Sequence, residues 1–111
     1  MERLSRKRII GEQAMLSQVT LEKGCLVPMH NHPNEQFACV ISGKMRFVVE
    51  DGEGGGGQRT LTLGAGEVLH LPGDVRHSAE ALETSVVLDV FSPPSATTGI
   101  DAHVATGAAR G

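Results

Sequence analysis

The sequence contains no tryptophan and no tyrosine, and only three of its 111 residues are phenylalanine. Proteins that bind single-stranded nucleic acid usually stack the bases on such rings, and a net charge of −3 gives no broad basic surface. We therefore expect no nucleic-acid partner. A small basic cluster near the N-terminus is interpreted as a solvated edge strand, because charged edges discourage pairing between molecules. It consists of Arg3, Arg6, Lys7 and Arg8.

Cysteines and long apolar runs are also scarce. Cys25 and Cys39 are too few for a disulfide framework, and their apolar neighbours favour buried thiols over reactive ones. No apolar run approaches the roughly 20 residues of a membrane span, and no signal-peptide core follows the charged N-terminus. These absences lead us to expect a cytoplasmic protein with no membrane partner.

Short β-like runs separated by turn residues make up most of the remaining sequence. Segments such as 14–21, 35–42 and 84–91 are apolar or alternating and are bounded by turn residues, which predicts strands. About nine such strands and no helical period predict an all-β sandwich or barrel. Residues 1–94 are predicted to form one domain and residues 95–111 a small polar tail. The glycine-rich segment 51–57 is predicted to be a flexible hairpin loop.

The segment 35–42 predicts an apolar surface outside the core. If Gln36 and the alternate residues face inward, then Phe37, Cys39 and Ile41 face outward, although they are equally apolar. A strand that is apolar on both faces must be covered on both, and exposed patches of this kind usually mark an interface. Because two-fold dimers are the commonest closed assembly, the sequence predicts a homodimer.

Several metal-binding side chains occur in two separate segments. His30 and His32 are one residue apart, so they share one face of a strand. Gln36 follows four residues later, and His77 comes after a Pro-Gly turn in the second segment. Neutral imidazole is a good ligand for transition metals, so the pattern predicts a divalent metal site. Two alternatives stay open: polar residues hydrogen-bonded in an empty barrel, and a site of three histidines beside which Gln36 only hydrogen-bonds.

These residues carry a resemblance to the small single-domain cupins, over most of residues 13–92. The first cupin motif is matched by Gly24, His30, His32 and Gly43, with Gln36 in place of the usual glutamate. The second is matched by Gly66, Pro72 and His77, with Asp74 in place of a glycine and Gly73 one residue early. The resemblance implies a cupin jelly-roll barrel of two antiparallel sheets, with a small-molecule ligand in its mouth. It also implies one divalent transition metal (Zn, Ni, Fe or Mn) held by His30, His32, Gln36 and His77.

The segment LDVFSPP, residues 88–94, together with HPNEQ, resembles the small cupins of pectin and alginate breakdown. Those proteins have a His, His, Gln, His site and linearise unsaturated uronates. The resemblance implies that Asp89 is the proton-transfer group and Phe91 a wall of the pocket. The aspartate is surrounded by apolar residues, and burying it would be costly unless it had an inward polar role.

This chain departs from that group after the two prolines. Ser95 replaces an arginine that is thought to hold the substrate carboxylate. A replacement anchor would have to come from elsewhere in the chain, or the substrate lacks a carboxylate. The candidate replacements are Arg46, Arg59 and Arg76.

A glutamine ligand leaves the full charge on a bound dication, which favours polarising chemistry over oxidation. We therefore predict a metal-dependent lyase or isomerase that acts on a small carbonyl or sugar-acid substrate. A metal-dependent (non-haem iron) dioxygenase and a non-enzymatic ligand or metal binding module remain as alternatives. Whether His70 or His103 joins the site is left open.

Overall fold

The computed structural model describes residues 3–51 and 57–94. The predicted tail, with Ser95 and His103, lies outside the described residues, as do the glycines at the centre of the predicted hairpin loop. The proposed division into a domain and a tail therefore stays a prediction.

The described residues contain nine β-strands, in agreement with the number that the sequence predicts. They are β1 (Leu4–Ile10), β2 (Met15–Leu21), β3 (Leu26–His30), β4 (Glu35–Ser42), β5 (Lys44–Asp51), β6 (Gly57–Gly64), β7 (Val68–Leu71), β8 (His77–Ala81) and β9 (Ser85–Ser92). The described ranges contain no helix, and so none that is long and apolar enough to cross a membrane. The prediction of an all-β protein with about nine strands is confirmed.

The strands form two antiparallel sheets that pack face to face. One sheet has five strands in the order β1-β2-β9-β4-β7, and the other has four in the order β3-β8-β5-β6. Consecutive strands often lie in different sheets, so residues far apart in sequence face each other across the interior. The predicted jelly-roll of two antiparallel sheets is confirmed.

The core lies between the sheets and is mainly aliphatic. As predicted, Ala38 and Val40 are fully buried beside Gln36, whereas Phe37 and Ile41 are 40% and 54% exposed on the outer face. The main cluster comprises Val19, Leu21, Cys25, Ala38, Val40, Met45, Phe47, Val49, Leu63, Leu71, Ala81 and Val87. Burial raises the pKa of the Cys25 thiol, which agrees with an inert, buried cysteine.

Strand β1 differs from the solvated edge strand that its charges suggested. Arg3 and Lys7 are exposed, but Arg6 is half-buried and Arg8 is only 2% exposed. The strand does lie at the sheet edge, yet side chains alternate along it. The face that carries Arg6 and Arg8 therefore turns towards the interior, and the interpretation of these two residues as solvated is wrong.

Two turn positions show how the backbone constrains sequence here. Gly43, between β4 and β5, has a φ of 90°, and a Cβ at this position would lie 2.2 Å from Ser85 Oγ. Asp74 has a φ of 66° at the place where the second motif usually has glycine. Aspartate is among the residues that tolerate this left-handed region best, so its substitution for glycine is compatible with the turn.

Replacing Gly43 by alanine should destabilise the fold by about 2 to 5 kcal/mol, since the new methyl group combines backbone strain with overpacking. Urea denaturation would measure the free energy of unfolding. Gly64→Ala is the matched control, because a Cβ there would meet only Glu67 Oε1, at an ordinary 3.9 Å. Equal stability of the two variants would contradict the assignment of a steric role to Gly43.

Candidate functional site

Three histidines converge at one end of the space between the sheets. His30 ends β3 and pairs in register with His77, the first residue of β8. His32 follows in the loop that leads to β4. The ring centroids are 4.3 Å apart for His30 and His77, 5.2 Å for His32 and His77, and 5.6 Å for His30 and His32. One nitrogen from each ring lies within 4.8 Å of the others, so the three could hold a metal ion.

The backbone orients all three rings in the same way. Each Nδ1 atom faces a carbonyl oxygen two residues away: that of Pro28 for His30 (2.8 Å), Asn34 for His32 (3.0 Å) and Val75 for His77 (2.9 Å). Because a carbonyl oxygen can only accept, each neutral ring donates from Nδ1 and keeps a lone pair on Nε2. This outer hydrogen bond is the usual support of a metal-bound histidine.

Gln36 adds a fourth donor atom and connects the histidines to Asp89. Its Oε1 atom lies 3.1 Å from His32 Nε2, and its amide nitrogen donates to Asp89 Oδ1 at 2.9 Å. In this arrangement Oε1 and Nε2 are both acceptors, so a cation between them would favour their close approach. Two ligands of one ion at about 2.1 Å and at right angles are separated by about 3.0 Å. The donor set therefore fits a divalent transition metal.

Asp89 points into the interior, as its apolar neighbours in the sequence suggested. It is half-buried, and burial raises the pKa of its carboxyl from 3.8 to about 7, against the opposing effects of the Gln36 hydrogen bond and the positive charge of Arg6. A carboxyl group with such a pKa is present in both protonation states at neutral pH. It can therefore accept and return a proton.

The pKa of His77 is lowered, whereas that of Asp89 is raised, and the lower pKa favours the neutral imidazole. Burial lowers the pKa of the His77 imidazole from 6.5 to about 4, the backbone hydrogen bond to Val75 opposes the shift, and the neighbouring His30 and His32 lower it further. The ring is only 4% exposed. It consequently stays unprotonated, the form that a metal ligand needs, over the whole neutral range.

The site opens onto a cavity of about 60 Å³ between the two sheets. Phe91 is 2% exposed, and its ring meets that of His32 edge-on at 5.6 Å between centroids, so it forms part of the wall. Most of the lining is apolar. The polar residues that line it are Arg6, Ser17, His30, Gln36, His77 and Asp89.

The sequence did not predict that Arg6 and Ser17 line this cavity. The available signal was the alternation along β1 and β2, in which Arg6 and Ser17 occupy inward positions. Asn34 was also missed as a support: it is 4% exposed, its carbonyl accepts from His32, and its side-chain amide donates to the carbonyl of Pro93.

Some candidates lie away from the cavity. His70 is on the outer surface, where its Nε2 atom contacts Glu35 at 2.6 Å and its ring stacks on Phe37 at 4.7 Å. Two of the suggested carboxylate anchors, Arg46 and Arg76, are exposed and form ion pairs with Glu80 and Glu50 respectively. The third, Arg59, is also exposed and does not line the cavity.

In the metal-free protein, Asp89 and His77 should affect stability in opposite directions as the pH falls. The raised pKa of Asp89, about 7, gives stability that is present at low pH and lost as the pH rises through 7. The lowered pKa of His77, about 4, gives stability that is present above 6.5 and lost as the pH falls towards 4. At about 1.4 kcal/mol per pKa unit, each contributes at most roughly 3.5 to 4.5 kcal/mol.

We therefore expect the free energy of unfolding to fall more steeply on acidification in Asp89→Asn than in the unaltered protein, because only the His77 contribution remains. Urea denaturation of the metal-free proteins at pH 7 and pH 5 measures this difference. Parallel pH dependence in the two proteins would contradict the conclusion that burial raises the pKa of the Asp89 carboxyl.

Comparison with known proteins agrees with this geometry. Residues 17–91 match the family described as Cupin domain (Cupin_2). KdgF from a Halomonas species is 26% identical, covers 86% of this chain and 83% of its own, and superposes with a TM-score of 0.76. An RmlC-like cupin from Shewanella frigidimarina is 25% identical, with 83% and 78% covered and a TM-score of 0.73. No curated protein sequence matches.

A longer enzyme contains a similar domain. A variant of oxalate decarboxylase from Bacillus subtilis is 26% identical over 74% of this chain, with a TM-score of 0.69, but this chain spans only 22% of that protein. The resemblance to small cupins noted in the sequence is confirmed, and the likeness to KdgF is consistent with the closer resemblance to the cupins of pectin degradation.

Proposed function

We propose that this chain, which belongs to the cupin family, is a metal-dependent lyase or isomerase acting on a small carbonyl or sugar-acid substrate. One observation carries the proposal. Three imidazoles and the Gln36 amide oxygen converge beside a cavity, and the carboxyl group of Asp89 lies one hydrogen bond beyond Gln36. The site thus combines a place for a cation with a group that can transfer a proton.

The Nε2 atoms of His30, His32 and His77, with Oε1 of Gln36, would hold one divalent transition ion (Zn, Ni, Fe or Mn). When bound, such an ion polarises a carbonyl or hydroxyl oxygen of the substrate. Gln36 carries no charge, so it does not offset the charge of the ion as a glutamate would. The Nδ1 hydrogen bonds hold the three rings in place without help from the substrate.

Asp89 is the proposed proton-transfer residue. Burial raises the pKa of this carboxyl, and the charge of a bound cation would lower it again, so the carboxylate could remove a proton next to the polarised group and return it to a neighbouring atom. The amide of Gln36 orients this carboxyl through the bond to Oδ1. Phe91 and the apolar walls limit access of water to the reacting atoms, which strengthens both electrostatic effects.

The proposed function is tested by elemental analysis of the purified protein and by turnover of unsaturated galacturonate and of small hydroxy and keto acids. We expect close to one divalent ion per chain and rearranged product with no oxygen consumed. Oxygen uptake with bound iron would instead identify a dioxygenase. Tight ligand retention without any product would identify a binding module.

We further propose that the outer face of the five-stranded sheet forms a two-fold dimer interface. Ile9, Leu16, Val90 and Phe37 lie side by side across four strands in register. Ile9, Leu16 and Phe37 are 54%, 42% and 40% exposed. Contiguous exposed apolar side chains often mark an interface, and a second copy would cover this row with the same row.

Phe37→Asp should convert the dimer to a monomer at micromolar concentration, since a buried aromatic anchor is typically worth about 2 kcal/mol or more at an interface. Light scattering coupled to size exclusion measures the mass. Leu26→Asp is the matched control, because Leu26 is 53% exposed but belongs to the other sheet. A monomeric unaltered protein would refute the interface.

A further inference from the structure

Two further polar groups line the cavity besides the histidines, Gln36 and Asp89. Arg6, on β1, is half-buried, and Ser17, on β2, is 0% exposed. Both line the same cavity as His77 and Asp89. The Ser17 hydroxyl has no hydrogen-bond partner within the part of the chain that the structure describes. Since a buried hydroxyl without a partner costs about 1 to 3 kcal/mol, its presence here calls for a functional reason.

The register of the sheet places both groups near the reacting end of the cavity. Ser17 is paired with Asp89 across β2 and β9, so their side chains are neighbours on the inner face. Arg6 lies on the next strand, and its positive charge is close enough to oppose the rise in the pKa of Asp89. A guanidinium stays charged at every physiological pH. The cavity therefore has a fixed positive charge and a hydroxyl donor apart from the histidines.

We propose that Arg6 and Ser17 bind the carboxylate group of the substrate, which is a small oxo or hydroxy acid. This inference rests on the proposed function, because it names the substrate class of the same cavity. The guanidinium fork matches the two oxygens of a carboxylate, and the Ser17 hydroxyl is a further donor. Arg6 thus provides, from the first strand, a carboxylate anchor in place of the arginine that Ser95 replaces.

The size of the cavity limits the ligand further. A volume of about 60 Å³ accommodates roughly four to six non-hydrogen atoms, at about 10 to 15 Å³ for each water-sized group. An oxo or hydroxy acid also carries three oxygen atoms, so one with about two or three carbon atoms fits between Arg6 and the histidines, by the same measure. A hexuronate would place only its carboxylate end inside and leave most of the sugar at the mouth.

Calorimetric titration with matched acid and amide pairs tests the assignment: pyruvate against pyruvamide, and glycolate against glycolamide. Each amide keeps the shape of its acid but lacks the negative charge. We expect both acids to bind the unaltered protein at least about tenfold more tightly than their amides, and Arg6→Gln to weaken the acids about ten- to a hundredfold. Amide binding should change little. The same preference should persist in metal-loaded and chelator-treated protein.

Arg46→Gln is the matched control, because it removes the same charge from an exposed position outside the cavity and should leave the acids bound as before. Ser17→Ala should weaken the acids about three- to tenfold. If Arg6→Gln does not fold, Arg6→Lys replaces it: the charge remains but the fork is lost, so acid binding should still weaken several-fold.

Equal binding of acids and amides by the unaltered protein would overturn the proposal. So would an acid preference that survives both the Arg6 variant and Ser17→Ala, since Arg6 would then only neutralise Asp89. Metal content and turnover are measured on the same samples. Acid binding through Arg6 without turnover would refute the proposed catalysis alone, whereas turnover without an acid preference would refute the carboxylate anchor alone.

Discussion

Replacing both His30 and His32 by alanine should weaken divalent-metal binding by at least about a thousandfold, because even the supporting partners of metal ligands are worth about 10- to 100-fold in affinity. Two of the four converging donor atoms would be removed, and His77 and Gln36 would remain from separate strands. Elemental analysis after dialysis should show close to one ion per chain in the unaltered protein and almost none in the variant.

The matched control is His70→Ala. It removes the same side chain from a position where the ring contacts Glu35 and Phe37 on the outer surface. Its metal content should equal that of the unaltered protein. Affinity should also fall on acidification in both proteins that retain the site, since binding requires unprotonated imidazoles. Undiminished metal in the double variant would show that the ion is held elsewhere.

Asp89→Asn should lower kcat by about 10²- to 10⁴-fold while metal content is retained, because general acid–base catalysis contributes this much and asparagine cannot transfer the proton. The Asn carbonyl oxygen can still accept the bond from Gln36, so the geometry of the histidine cluster should survive. Steady-state kinetics with an acid that the unaltered protein converts would measure kcat, and elemental analysis would measure the metal content. Together they separate loss of catalysis from loss of metal.

Asp74→Asn makes the same chemical change in an exposed turn. Its φ of 66° suits asparagine as well as aspartate, so activity should be unaffected. Full activity of Asp89→Asn would exclude the carboxyl from proton transfer. Loss of both metal and activity would instead assign Asp89 to the orientation of Gln36.

Local patterns in the sequence were sufficient for the fold class and for the metal candidates. Alternation within Glu35–Ser42 placed Ala38 and Val40 inside and Phe37 and Ile41 outside, because a strand turns successive side chains to opposite faces. His30 and His32 were recognised from their spacing and from their motif. His77 could be chosen over His70 only through the second motif, since both are single histidines in short strands.

Other features depend on contacts between distant strands. Arg6 and Arg8 look like solvent-exposed charges in the sequence, and a local pattern cannot tell which face of an edge strand will be covered. The pairing of β1 with β2, and of β2 with β9, places Ser17 beside Asp89 and Arg6 on the neighbouring strand. The raised pKa of Asp89 likewise comes from burial by residues far along the chain.

Local sequence features were enough to predict an all-β chain with turn glycines at defined places and a histidine pair followed by a glutamine. Each of these follows from interactions within a few residues, such as side-chain alternation and the backbone freedom that Gly43 needs. That Arg6, Ser17 and Asp89 line one cavity with His77 depends instead on how the two sheets pack. Packing of the two sheets against each other determines which side chains lose water together, and this desolvation shifts their pKa values and so their chemistry.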